Sequence, residues 1–340
     1  MNLVLPAEWA PQAMVQLTWP RPEGDFADVF TAVEQTFTAL AVAITRFENL
    51  LIVSGDDVDA LRRRLLVAGA RADRLRLHAA PANDVWARDH GPITVFRDGR
   101  PVHLDFTFNG WGNKFDARLD DRITRALAAD GVLAAPVETL DFVLEGGGIE
   151  SDGIGTLLTT ERCLLAPTRN PQFSQLQIEE KLKTWFGVRR VLWLRHGDLI
   201  GDDTDGHIDT IARFCDARTI AYQACDDVTE AHYADLKAME GELQALRTLD
   251  GRPYKLVPLP LPAPIHAADG RRLPAGYPNF LIMNGAVLIP TYADPNDAIA
   301  LERLRPCFPG REVIGIDCRA LIQQYGSLHC VTMQYPSAPR

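Results

Sequence analysis

Apolar residues recur along this chain with two periods. Phe30, Val33, Phe37, Leu40, Ile44 and Phe47 are spaced by three or four residues, which stacks them on one face of a helix. Val58, Leu61 and Leu65 repeat the pattern up to a stop at Gly69, and Phe173, Leu176, Leu182 and Trp185 repeat it up to Gly187. Two further helices are predicted over residues 228–247 and 297–304, the second stopped by Pro306. Short apolar runs between them predict strands over 50–53, 92–96, 102–106, 156–160, 191–194, 208–212, 219–221, 280–283, 286–290 and 313–317. A proline cluster at 258–264 reads as an extended connection, because proline fixes φ and removes a backbone donor. The order strand, strand, helix, strand recurs five times, near residues 8–54, 84–145, 146–197, 205–261 and 278–335. Five ββαβ units closing in a ring make a single α/β propeller. Two ordinary α/β domains are the other arrangement this order permits.

Composition narrows the class. The chain has 340 residues, 46% of them apolar and 24% charged, as expected of a globular protein with a sizeable core. The start carries no basic region followed by an apolar run, and no uninterrupted apolar stretch approaches the roughly 20 residues of a membrane helix. A cytoplasmic protein without a membrane partner is expected. The net charge of −10 argues weakly against nucleic acid, whose binding rests on basic residues; it is compatible with a small cationic ligand, but on charge alone solubility is the simpler account. Of the six cysteines none forms a C-x-x-C pair, so free thiols are expected. The oligomeric state stays open, a homo-oligomer included.

Four polar segments lie where loops meet strands: Asn83–Pro92, Glu145–Gly148, Asp202–Asp209 and Gly326–Gln334. In the third, His207 and Asp209 are two apart, and a strand starting at Gly206 would place both on one face. The same residues also suit a turn with a surface histidine. An EF-hand does not fit, because Gly201 and Ala212 stand where it needs acids. In the fourth, adjacent strand residues face opposite ways, so His329 is a poor base for Cys330, and His207 is the better one. Taken alone, Cys330 fits a buried thiol as well as a nucleophile. Glu145 precedes three glycines, which allow close backbone approach to a ligand. The run lacks the lysine of a P-loop and the wider spacing of a dinucleotide loop. No pair of His or Cys residues has zinc-ligand spacing, and neither metal nor organic cofactor is expected.

With these segments in view, the sequence resembles the agmatine deiminase family, also called Porphyromonas-type peptidyl-arginine deiminases. The likeness runs from Pro6-Ala7-Glu8-Trp9 and Trp19-Pro20 through Trp86-x-Arg88-Asp89-x-Gly91-Pro92 and Phe108-Asn109-Gly110-Trp111-Gly112. It continues through Glu145-Gly146-Gly147, Arg169-Asn170-Pro171 and Asp205-Gly206-His207-Ile208-Asp209 to His329-Cys330-x-Thr332-x-Gln334. The resemblance implies a single domain folded as a five-bladed α/β propeller, the pentein fold of guanidine-modifying enzymes. It implies that Cys330 is the nucleophile and His207 the general acid/base, that Asp89 and Asp209 hold a guanidinium, and that Glu145 orients the histidine. Two loops depart from the family pattern, Tyr325-Gly326-Ser327-Leu328 before the cysteine and Thr168 before Arg169-Asn170-Pro171. Such loops bear on which substrate is taken.

The chemistry accounts for these residue types. A guanidinium is planar and always charged, and two carboxylates grip its edges while its carbon meets a thiolate face-on. His207 would protonate departing ammonia and then activate water, so that a covalent thiouronium is hydrolysed without a cofactor. The same acids should raise the thiol pKa of the empty site, so the cationic substrate is expected to help form the thiolate. Trp86 and Trp111 either line the substrate's tail or serve as core aromatics. The expected activity is that of an agmatine deiminase. Deimination of peptidyl-arginine or another alkylguanidine is the nearest alternative. A thiol amidohydrolase fits less well, because acids would repel its oxyanion, and a non-catalytic binding propeller is the third possibility.

Overall fold

The computed structural model describes residues 2–337. Its strands form five small sheets among those residues, in a mixed α/β fold, and each sheet uses one arrangement. Ile149–Ser151 pairs antiparallel with Thr156–Thr160, helix Gln175–Phe186 follows, and Arg190–Leu194 returns parallel to Thr156–Thr160. Ile93–Arg97, Arg100–Thr107, helix Ile123–Ala129 and Val137–Val143 do the same. So do Ala212–Asp216, Thr219–Gln223, helix Tyr233–Ala245 and Lys255–Leu259. Leu281–Ile282, Ala286–Thr291, helix Asn296–Leu304 and Glu312–Asp317 repeat it once more.

The remaining sheet joins the two ends of the chain. Thr332–Pro336 runs antiparallel to Gln12–Thr18, helix Phe30–Phe47 follows, and Asn49–Ser54 returns parallel. Helix Val58–Val67 then leads to an edge strand, Leu75–Ala79. The units expected near 8–54 and 278–335 thus differ from the structure by one strand: the last strand of the chain pairs within the first unit. The reason is backbone accounting. Gln12–Thr18 is largely buried, and without an antiparallel partner one side of it would leave its N–H and C=O groups unpaired.

The elements follow from local signals. Gln175–Phe186 opens on a capping box between Ser174 and Gln177 and closes on Gly187 at φ 67°, a left-handed position that favours glycine. Asp57 caps the helix after it by accepting from the Asp59 and Ala60 amides. The central strands Thr156–Thr160 and Thr219–Gln223 are buried along their whole length, as suits a parallel strand covered on both faces. Pro258 sits inside Lys255–Leu259, where a connection was expected; an edge strand tolerates the missing donor. Helix Phe30–Phe47, with the 3₁₀ turn Ala27–Val29 before it, is long and apolar enough to cross a membrane by length and composition alone. Here its face of Val33, Phe37, Leu40 and Ile44 is fully buried in the largest core cluster.

One expected strand is absent. Residues 208–212 were to form it, yet Ile208–Thr210 is a turn of 3₁₀ helix and the strand begins at Ala212. Asp202 accepts from the Thr204 hydroxyl at 2.6 Å and the Gly206 amide at 2.8 Å, and Thr204 Oγ1 accepts from the His207 amide at 3.0 Å. These local bonds curl the chain before it can extend.

Candidate active site

Cys330 lies in a turn before Thr332–Pro336 and is 3% exposed. Its amide neighbourhood is held by Asn279, whose Oδ1 accepts from the His329 amide at 2.8 Å and lies 3.4 Å from the Cys330 Sγ. Asp209 Oδ2 is 4.0 Å from the same sulfur. Burial, then the charges of Asp209 and Asp89, push the Cys330 thiol well above its ordinary pKa. The thiol is therefore protonated in the free protein at neutral pH.

Asp89 sits in the short helix Ala87–His90, which the Arg88 amide ties to the Cys330 carbonyl at 3.1 Å. Its Oδ1 accepts from the Gly147 amide at 3.1 Å and its Oδ2 from Trp111 Nε1 at 3.0 Å. Burial raises its pKa to about 6, helped by Asp209 and Glu145 and opposed by His207. His207 is fully buried, with Nδ1 3.6 Å from Asp89 Oδ1 and neither ring nitrogen hydrogen-bonded within the described residues. Burial alone would lower its pKa, but Asp89, with Cys163 and Glu145, raises it well above the ordinary value. An imidazolium is the form that can protonate a leaving group.

His207 and Asp209 do share a site, though the 3₁₀ turn rather than strand alternation brings them there. Burial opposes ionisation of Asp209, and the hydrogen bond from His329 overrides it and lowers the pKa. Glu145 is fully buried beside His207, but both its oxygens accept from Arg169 Nε, at 3.0 and 2.9 Å, rather than from the histidine. Gly147 is the common neighbour of the group. A Cβ there would lie 2.5 Å from His207 Nδ1, 2.9 Å from Asp89 Oδ1 and 3.2 Å from Asp209 Oδ2. The five expected residues are thus gathered in one place.

Above them opens a cleft of about 400 Å³, counting its mouth, with Cys330 and Asp89 among its lining residues. Trp86, Trp111, Phe115 and Tyr325 form walls, and Asp25, Asp84 and Asp203 add carboxylates; no Lys or Arg is among its described lining residues. Lys114 neutralises Asp203 at 3.0 Å. Asp84 accepts from Trp86 Nε1 at 2.8 Å, and burial, with the Asp25 charge, raises its pKa to about 6. Trp111 adopts φ 54°, a strained conformation for a side-chain-bearing residue that aims its N–H at Asp89. Both tryptophans therefore do more than fill the core.

Sequence reasoning gave no role to Arg169, Asn279 or Cys163. Arg169 carried a signal, standing in the Arg-Asn-Pro motif, whereas Asn279 and Cys163 have none in their local context. Among the described residues two clusters hold ligand atoms within 4.8 Å of one another, Glu145–Cys163–His207 and Glu8–Glu150–His329. In each a guanidinium already neutralises the carboxylates, Arg169 in the first and Arg213 in the second, which disfavours a cation there.

Residues 4–336 match the model of the Porphyromonas-type peptidyl-arginine deiminase family. The chain is 35% identical to an agmatine deiminase of Stutzerimonas stutzeri, with 98% of this chain and 95% of that one covered. Among solved structures it is similar to a C. jejuni agmatine deiminase with substrate bound, at 34% identity, TM-score 0.92, and 100% and 98% coverage. It is also similar to a Porphyromonas gingivalis structure described provisionally as an arginine deiminase, at 52% identity, TM-score 0.92, and 99% coverage of each chain.

Proposed function

Because the chain belongs to the Porphyromonas-type peptidyl-arginine deiminase family, we propose that it is an agmatine deiminase, a hydrolase of C–N bonds that converts agmatine to N-carbamoylputrescine and ammonia. The observation that carries this reading is the charge of the cleft. A buried thiol stands between carboxylates at its floor, Asp25 and Asp84 stand further out, and no Lys or Arg is among its described lining residues. Agmatine presents a cation at each end. Arginine would bring its α-carboxylate toward Asp25 and Asp84, with no described lining side chain of positive charge to pair with it.

The site performs the reaction in two halves. Asp89 and Asp209 take the edges of the guanidinium through charge-assisted hydrogen bonds and fix its plane. The arriving cation offsets the charges that hold the Cys330 proton, which passes to solvent through the cleft, and the thiolate attacks the guanidinium carbon; a proton returns to the sulfur when the ureido product leaves. His207 gives its proton to the departing nitrogen, and ammonia leaves a thiouronium on the sulfur. Neutral His207 then takes a proton from water, which adds to the same carbon, and collapse expels the thiolate with the ureido product. Glu145, held by Arg169, stabilises the imidazolium through its field. We also infer that the five sheets close as the blades of a propeller, with the polar segments at one end. A reduced thiol of this kind suits a cytoplasmic location.

The 52%-identical structure described as an arginine deiminase favours a second reading, in which arginine or a peptidyl arginine is the substrate. Ammonia release from agmatine, free arginine and a blocked arginine peptide separates them. Agmatine should be turned over with the highest kcat/KM, and release from the peptide alone would overturn the assignment. Asp84 supplies a finer check. Asp84→Asn keeps the shape and removes the charge, so at pH 7.5 the KM for agmatine should rise about tenfold, worth roughly 1.4 kcal/mol of binding, with kcat little changed. Wild-type Asp84 takes up a proton as pH falls through about 6, so the difference should shrink below that pH. An equal KM in the two proteins at pH 7.5 would remove Asp84 from tail recognition.

A further inference from the structure

His329 neighbours the nucleophile in sequence yet turns away from it, and its surroundings are unusual for a fully buried imidazole. Nδ1 lies 2.7 Å from Asp209 Oδ2 and Nε2 lies 2.7 Å from Glu8 Oε2. Each contact needs a proton between its heavy atoms, and a neutral imidazole carries only one N–H. Burial and the charges of Arg213 and Arg88 lower the His329 pKa, but two 2.7 Å contacts to carboxylates leave no room for a bare lone pair against an oxygen, so the geometry favours one proton shared by Glu8, His329 and Asp209 beyond that of a neutral ring. Glu8 is fixed in turn. Its Oε2 accepts from Arg213 Nη2 at 2.8 Å, its Oε1 accepts from the Ile282 amide at 2.7 Å, and Arg213 also pairs with Glu150. The network is rigid, because every member is buried.

Asp209 receives this support on one oxygen only. Its Oδ1 is buried and has no hydrogen-bond partner among the described residues. We propose that His329 is a positioning residue for the guanidinium: it locks Oδ2 of Asp209, turns Oδ1 toward the substrate, and ties that carboxylate to the Glu8–Arg213 network. The extra proton also lowers the net negative charge beside Cys330 while leaving the carboxylate able to accept. The inference rests on the guanidinium reading of the site.

Two conservative variants separate positioning from packing. Asparagine places an amide nitrogen near the position of Nδ1 and keeps the donor to Asp209. Glutamine reaches toward the position of Nε2 and Glu8 instead. Agmatine turnover is measured for His329→Asn, His329→Gln and His329→Leu, and agmatine binding to each in a Cys330→Ser background by calorimetry. His329→Asn should stay within about tenfold of wild-type kcat/KM. His329→Gln and His329→Leu should lose roughly 10- to 100-fold more and bind agmatine at least tenfold more weakly, the worth of a hydrogen bond to a charged group. Equal impairment of the Asn and Gln variants would overturn the proposal, as would a folded His329→Leu protein with wild-type kinetics. If His329→Leu fails to fold, the Asn and Gln comparison alone decides. If the wild-type protein ignores agmatine, the substrate assignment fails by itself, and the same three variants are compared on the guanidinium compound that the wild type does turn over.

Discussion

Replacing Cys330 by serine should abolish ammonia release from agmatine while agmatine still binds about as tightly as to the wild-type protein. Among the described lining residues the Cys330 thiol is the only nucleophilic sulfur, and it stands beside Asp209 at 4.0 Å. A serine hydroxyl of the same reach ionises far less readily, and the acids that already raise the thiol pKa would raise the hydroxyl further. A fall in kcat of about a thousandfold or more is expected, since removal of a nucleophile costs at least that in comparable enzymes. Binding rests on Asp89, Asp209 and the acids of the mouth, none of which changes. Steady-state assays paired with calorimetry measure both quantities. A serine variant with more than a tenth of wild-type kcat would take Cys330 out of the covalent role.

The state of the thiol bears on how that result is read. In the free protein burial and the surrounding carboxylates raise the Cys330 pKa, and the carboxylates raise that of His207, so the site differs from a preformed thiolate–imidazolium pair in keeping the proton on sulfur. In the proposed mechanism a cation that enters between Asp89 and Asp209 supplies the charge that frees the thiolate, so substrate charge would contribute to specificity as well as affinity, and neutral carbonyl compounds should react poorly. An amidohydrolase would need donors toward an oxyanion here, and the carboxylates of Asp89 and Asp209 near Cys330 would repel one.

Much of this was legible in the chain itself, for identifiable reasons. The helix at Phe30–Phe47 and the strands at Thr156–Thr160 and Ala286–Thr291 follow from hydrophobic period and stop signals, which act locally. The partner of Gln12–Thr18 does not, because Thr332–Pro336 lies more than 300 residues away and nothing local names it. The pairing of His207 with Asp209 was reached through a strand that does not exist; hydrogen bonds from Asp202 and Thr204 curl the segment, and the 3₁₀ turn brings the two residues to the same site. His329 was rightly set aside as the base for Cys330, but its contact with Asp209 spans 120 residues and could not be read from spacing. Arg169 and Asn279 act in the same way, through partners that only the fold supplies.

Gly147 is the position where the smallest chemical change should do the most damage apart from the nucleophile. Its φ lies outside the left-handed region, so alanine meets no backbone strain, and the effect of Gly147→Ala is purely one of space. The added methyl would stand 2.5 Å from His207 Nδ1 and 2.9 Å from Asp89 Oδ1, distances that no carbon tolerates, with Asp209 Oδ2 at 3.2 Å. These three side chains cannot retreat easily, being buried and, for the two acids, hydrogen-bonded. Displacing reacting groups by about 1 Å costs on the order of 100-fold in rate, and here three move together, so kcat/KM should fall at least that far. Stability should fall by only about 1–3 kcal/mol, the usual cost of overpacking, so the variant remains folded. Gly241 provides the matched control: it lies within helix Tyr233–Ala245 with nothing within 4 Å of an added Cβ. Gly241→Ala should keep full activity and gain roughly 0.5–1 kcal/mol from helix propensity. Thermal melts and agmatine kinetics on the two variants decide the matter. A Gly147→Ala protein that melts normally and retains wild-type kcat/KM would mean that His207, Asp89 and Asp209 do not act from the positions seen around that glycine.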